Sequence, residues 1–291
     1  MLKCKHYRIC KLTAPSNTET QEDEWLCILH SKNPRKNINK FKEAFEANRD
    51  QSEFMSDFSY VFFPEDYIFF SHGDPLRIFR EQFLHFNNAT FSGSPDFSLT
   101  FFEGQVNFSS AKFLRGADFS SSTFEQTVDF SNAQFYEEKG GDSNKENQEI
   151  DFRRATFHDI ARFEGTKFYE KAEFSDSRFF ESADFSESVF SSGGRFEQVT
   201  FAKRVAFWAT QFDGGTISFR YALFLEGAFF ASPMVSRPGV EKRVETRQEL
   251  SRMTKESDEI LIRSSYTMEK LDRHIVAIAK KLRCQKRSWL I

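Results

Sequence analysis

Cys4, Cys10, Cys27 and His30 are the residues whose types and spacing could do chemistry. They form C-x5-C-x16-C-x2-H, and the chain has 4 cysteines in all. Three thiolates and an imidazole make an ordinary tetrahedral shell for zinc, and a shell closed by four protein ligands has no open position for a substrate. The expectation is one structural zinc ion. His6 is a competing ligand. The alternative is a set of unligated side chains in a reduced cytosolic protein, because C-x5-C is a wider loop than the usual C-x2-4-C. Other chemistry is thin. The 6 His are scattered, no Gly-rich phosphate loop precedes a helix, and the serines have no triad context. The sequence reads as a non-enzyme.

What must position this cluster is a repeat. Phe recurs at alternating steps of five and six from Phe86 through Phe91, Phe97, Phe102 and Phe108 to Phe135, and again from Phe152 to Phe230 save for a step of seven from Phe212 to Phe219, where Gly214 and Gly215 can form a bulge, so the unit is eleven residues, as in ADFSSSTFEQT and ADFSESVFSSG. Neither 3.6 nor 2 is the period. A coil with a corner after each Phe accounts for it, since residues i and i−2 of a strand share a face. The i−2 positions are small or aliphatic, among them Ala89, Val106, Ala111, Ser122, Ile150, Ala155, Ala172 and Val205. Ser, Asp, Glu, Lys, Gln and Gly between the inward pairs suit corners and a solvated outside. Fixed-period stacking of this kind builds a solenoid.

The A-x-F-x-x-A-x-F-x-x-x pattern resembles the phenylalanine-rich branch of the bacterial pentapeptide-repeat proteins. The resemblance implies an all-β solenoid: a right-handed quadrilateral parallel β-helix of about six to seven coils with four Phe per coil. The Cys/Cys/Cys-x2-His element ending in CILHS is also similar to the start of many such proteins. The expected organisation is a Cys/His cap and helix over 1–50, a first coil and inserted helix over 51–85, the β-helix over 86–231 and a linker with an amphipathic helix over 232–291. Within the β-helix, the gap from Phe135 to Phe152 keeps the phase and reads as a polar loop, 136–150, thrown out of the coil.

Outside the repeat, NINKFKEAFEANRD reads as a helix with Ile38, Phe41 and Phe45 on one stripe, capped by Asn37 or Asn39. DFSYVFFPEDYIFF already has the solenoid cadence at Phe58, Phe63 and Phe69. FREQFLHF, with Phe79, Phe83 and Phe86 at steps of four and three, predicts a short helix. Beyond SPMVSRPGV, the spacing of Leu261, Met268, Leu271, Ile275, Ile278 and Leu282 predicts an amphipathic helix that docks on the solenoid end or joins a second copy.

The net charge of −3 is uneven: −1 over 1–85, −8 over 86–230 and +6 over 231–291. Acidic residues precede alternate Phe, and Asp118, Asp129, Asp151, Glu173 and Asp184 form the expected interaction surface for an unidentified protein partner. The functional expectation is a structural or protein-interaction scaffold. The alternative, implied by the family resemblance, is a DNA mimic acting on a topoisomerase, although −8 is sparse beside a duplex. No nucleic-acid partner is expected. With no signal peptide and no stretch long enough to span a membrane, the expected location is the bacterial cytoplasm.

Overall fold

In the computed structural model, the structure describes residues 2–3, 5–6, 13–14, 26–33, 36–49, 55–70, 77–136, 150–213, 216–226, 228–229 and 261–263. Its body is a four-faced parallel β-solenoid. Taken in chain order, the Phe columns are Phe58, Phe86, Phe108, Phe130, Phe163, Phe185 and Phe207 on face 1, and Phe63, Phe91, Phe113, Phe135, Phe168, Phe190 and Phe212 on face 2. Face 3 carries Phe97, Phe119, Phe152, Phe174, Phe196 and Phe219, and face 4 carries Phe79, Phe102, Phe124, Phe157, Phe179, Phe201 and Phe224. Strands are only two or three residues long, yet each pairs in register with the next coil, as in Phe113↔Phe135 and Val128↔Ala161.

The two step lengths have a structural cause. After nearly every Phe of faces 1 and 3 the chain makes a four-residue turn closed by a backbone hydrogen bond, such as Ala89 N to Phe86 O at 3.0 Å. The third residue of that turn has positive φ, as at Asn88, Leu99, Ser121 and Arg154, which is the type II geometry. Gly165 fills the same position after Phe163 with no steric cost. The corners after faces 2 and 4 take one residue more.

The core is a stack of rings. Phe rings repeat along each column at about the ~4.8 Å strand spacing: Phe102 to Phe124 is 4.7 Å at 2°, and Phe152 to Phe174 is 4.8 Å at 2°. Columns of the opposed faces 1 and 3 meet edge to face, as Phe152 and Phe163 do at 90°. Both arrangements are favoured by the ring quadrupole.

Helix α1 (Ile38–Arg49) closes the first coil. The Asn37 side chain accepts from Lys40 N at 3.0 Å as the N-cap. Phe41 and Phe45 are buried and pack on Phe58, Phe63 and Tyr67. A second tie is the buried Lys36, whose Nζ donates to Leu29 O and Ser31 O and also to Phe62 O.

Two expectations are corrected. FREQFLHF is not helical: Ile78–Phe79 pairs with Phe101–Phe102, and Phe83–His85 lies between Met55–Asp57 and Gln105–Asn107. Leu84 takes the inward position two before Phe86, so coil pairing overrides the helical spacing. Leu261–Arg263 is a strand, paired antiparallel with Thr216–Ser218, where the heptad spacing predicted helix. The rest of 232–291 lies outside the described residues. The coil register is continuous between Phe135 and Ile150: Phe135 pairs with Phe168 and Ile150 with Ala117, and 137–149 lie outside the described residues. Among the described residues no helix is long and apolar enough to cross a membrane.

Candidate functional site

The acidic residues singled out by sequence divide between two opposed faces. Asp96, Asp118, Asp151 and Glu173 are stacked in one column on face 3, which continues with Arg195. Asp129 and Asp184 lie on face 1, separated by Arg162. Five carboxylates therefore do not face one way.

Each also has work inside the chain. A side-chain oxygen of Asp118, Asp129, Asp151, Glu173 and Asp184 accepts from the backbone N–H two residues on, at 2.8, 2.7, 2.8, 3.2 and 2.8 Å in that order. This is the Asx-type contact that fixes a corner, and Asn107 makes it too, to Ser109 N at 2.8 Å. Asp151 and Glu173 are buried and carry cations: Arg153 Nε reaches Asp151 at 2.9 and 3.0 Å, and Arg195 Nη1 reaches Glu173 at 3.2 Å. Asp118 has Ser120 but sits between two carboxylates. Burial, then Asp151 and Asp96, push its pKa above the usual carboxylate value despite the bonds from Ser120. Asp96 goes the other way. Burial opposes its charge, but hydrogen bonds from Arg77 and Ser98 outweigh burial and bring the pKa down.

Cys27 and His30 come together at the N-terminal pole. His30 Nδ1 is 3.2 Å from Cys27 Sγ, and its Nε2 is 3.2 Å from Ser59 O. With Nε2 donating to that carbonyl, Nδ1 presents its lone pair toward the thiol, the orientation a ligating imidazole takes. His6 stacks on His30 at 4.5 Å. Cys4 and Cys10 lie outside the described residues, within a segment bracketed by the antiparallel pair Leu2–Lys3 and Thr13–Ala14.

Another surface went unread in the sequence. The first residue after successive face-4 Phe gives the column Glu125, His158, Phe180, Ala202 and Leu225. His158 stacks on Phe180 at 4.9 Å, and its Nε2 is 3.7 Å from Glu125. The signal was present as a coil-length spacing of outward residues, which a search for the inward Phe passes over.

The family described as pentapeptide repeats (9 copies) matches residues 86–134, 148–189 and 163–211. No curated protein and no solved structure matches the chain.

Proposed function

Because the chain belongs to the pentapeptide-repeat family through residues 86–134 and 148–211, we propose that it is a non-catalytic scaffold whose outer faces bind a protein partner. The carrying observation is the division of labour along each strand: inward positions are filled by stacked Phe, while outward positions stand in fixed coil-to-coil register. A rigid array of that kind suits recognition, because its binding side chains need little ordering on association. On this reading the acidic contacts are the partly exposed Asp118 on face 3 and Asp129 with Asp184 on face 1, while Asp151 and Glu173, themselves buried, fix the exposed Arg153 and Arg195 beside Asp118.

The turn contacts dictate how to test it. Charge should be removed without breaking corners, and Asn107 is the precedent. The Asp118→Asn/Asp151→Asn and Asp129→Asn/Asp184→Asn pairs should each be compared with wild type in pull-downs at two salt concentrations. A partner lost with one pair and weakened by salt supports the reading. A partner set indifferent to both pairs removes these faces as the contact. The duplex-mimic alternative gains no support from rows interrupted by Arg162 and Arg195, and a gyrase supercoiling assay tests it directly.

We further propose that Cys4, Cys10, Cys27 and His30 hold a structural zinc ion at the N-terminal cap. The Cys27–His30 arrangement supports this. The ion would supply folding energy to a segment too short for a core of its own.

A further inference from the structure

Exposed apolar side chains gather at one place on the solenoid. Phe180, Tyr221, Leu223 and Leu225 are 45%, 49%, 40% and 43% exposed. Leu223 projects from face 4 of the last complete coil, and Tyr221 and Leu225 flank it at the two corners. Phe180 lies two coils below Leu225, with Ala202 between them, so large, small and large side chains in register form a notch. Contiguous exposure of this kind on a solenoid wall marks a contact surface.

The setting is acidic. The two positions after each face-4 Phe, from Phe102 to Phe224, hold Glu103, Glu125, Asp159, Glu181 and Glu226 against Lys203, with Arg178 of the Leu223 column and Arg204 the further cations beside them, so carboxylates still outnumber cations. Lys203 is engaged by Glu226 at 2.8 Å. A matching occupant carries apolar side chains together with an excess of cations.

We infer that this strip is covered by the protein's own C-terminal segment, residues 264–291. That segment has Leu271, Ile275, Ile278 and Leu282 at steps of three and four, with Lys280, Lys281, Arg283, Lys286 and Arg287 around and after the last of them. The tether favours it. The solenoid ends at Ala228–Phe229 on face 1, immediately past the Leu225 corner, and Leu261–Arg263 is tied back to Thr216–Ser218 of the last coil. Residues 264–291 therefore start at the same end as the strip. A short tether makes docking intramolecular and raises the effective concentration to the millimolar range, about 10^-3 M, without new contacts. The strip from Glu125 to Leu225 is about 20 Å long at the ~4.8 Å coil spacing, well within reach of 28 residues.

Carbodiimide coupling of the full-length protein tests this, followed by peptide mass mapping of an equimolar mixture of isotopically heavy and light chains. The expected products join Lys280, Lys281 or Lys286 to Glu103, Glu125, Glu181 or Glu226 within one chain, and are lost in Phe180→Ser/Leu225→Ser. Trypsin should also cut 264–291 about tenfold faster in that double variant, because cleavage follows the population of the open form. Heavy-to-light products would replace the proposed occupant with a second copy and overturn the inference. Absence of coupling to this corner in the wild-type chain would overturn it too, whether or not the double variant folds. So would products and cleavage rates that the double variant leaves unchanged.

Discussion

Phe163 stacks on Phe185 at 4.7 Å with ring planes 1° apart, and the same ring meets Phe152 and Phe174 edge-on at 90° and 88°. One side chain thus takes part in a column and in the packing between opposed faces. Phe163→Ala should cost about 3–5 kcal/mol, since the coils above and below fix the cavity walls. Glu164→Ala, on the exposed next position, should stay within about 0.5 kcal/mol. Denaturant titration measures both, and equal losses would contradict a core built on inward Phe columns.

Asp118→Asn should stabilise the fold near neutral pH. Folding raises the pKa of Asp118, so its favourable contribution belongs to the protonated form and is lost as pH rises through the folded value. Asn keeps the acceptor for Ser120 N and removes the repulsion from Asp96 and Asp151. The difference from wild type in thermal melts should therefore shrink as pH is lowered. Asp96 has the opposite sign: its lowered pKa gives stability above the ordinary carboxylate value that fades on acidification, weakly because the group is half exposed.

Inward serines should respond differently to the same substitution. Ser122 Oγ donates to Phe119 O at 2.7 Å, whereas the equally buried Ser177 Oγ has no hydrogen-bond partner. Ser177→Ala should be neutral or stabilising by about 1 kcal/mol, while Ser122→Ala should cost about 1 kcal/mol. Chemical melts of the two variants, with reversed signs, would contradict the assignment.

Zinc analysis of protein purified without chelator should find about one ion per chain, and Cys27→Ser should abolish it. Substoichiometric metal in the wild type, or unchanged metal in the variant, would overturn the structural zinc.

Most of the β-helix was legible because its signal is repeated at every rung: Phe on the inside, a small residue two before it and polar corners between. The first coil was harder. Phe79, Phe83 and Phe86 have helical spacing, and only the pairing of Phe83–His85 with strands on both sides assigns them to the sheet. The acidic rows were legible as rows, but their duties were not. Asp-Phe-Ser at 118–120 and 129–131 contains the Asx corner, yet whether a carboxylate faces solvent or bonds to its own backbone depends on turn geometry. The Phe180–Ala202–Leu225 notch escaped notice because it exists only between coils.

The alternation of corners also sets the coin in which this chain can change length. A full coil is 22 residues, as Phe113↔Phe135 shows, and the sequence unit is half of that. Gaining or losing one eleven-residue unit would leave every Phe inside but turn the rest of the molecule by half a revolution, exchanging faces 1 and 3. Asp129 would then stand over the Asp118 column. An insertion confined to a corner would leave the bearings of all later side chains untouched. Inheritance could thus vary the molecule in two independent ways, elongating it by whole coils at constant azimuth or ornamenting one edge, while single-unit duplications would scramble any surface a partner had learned to read.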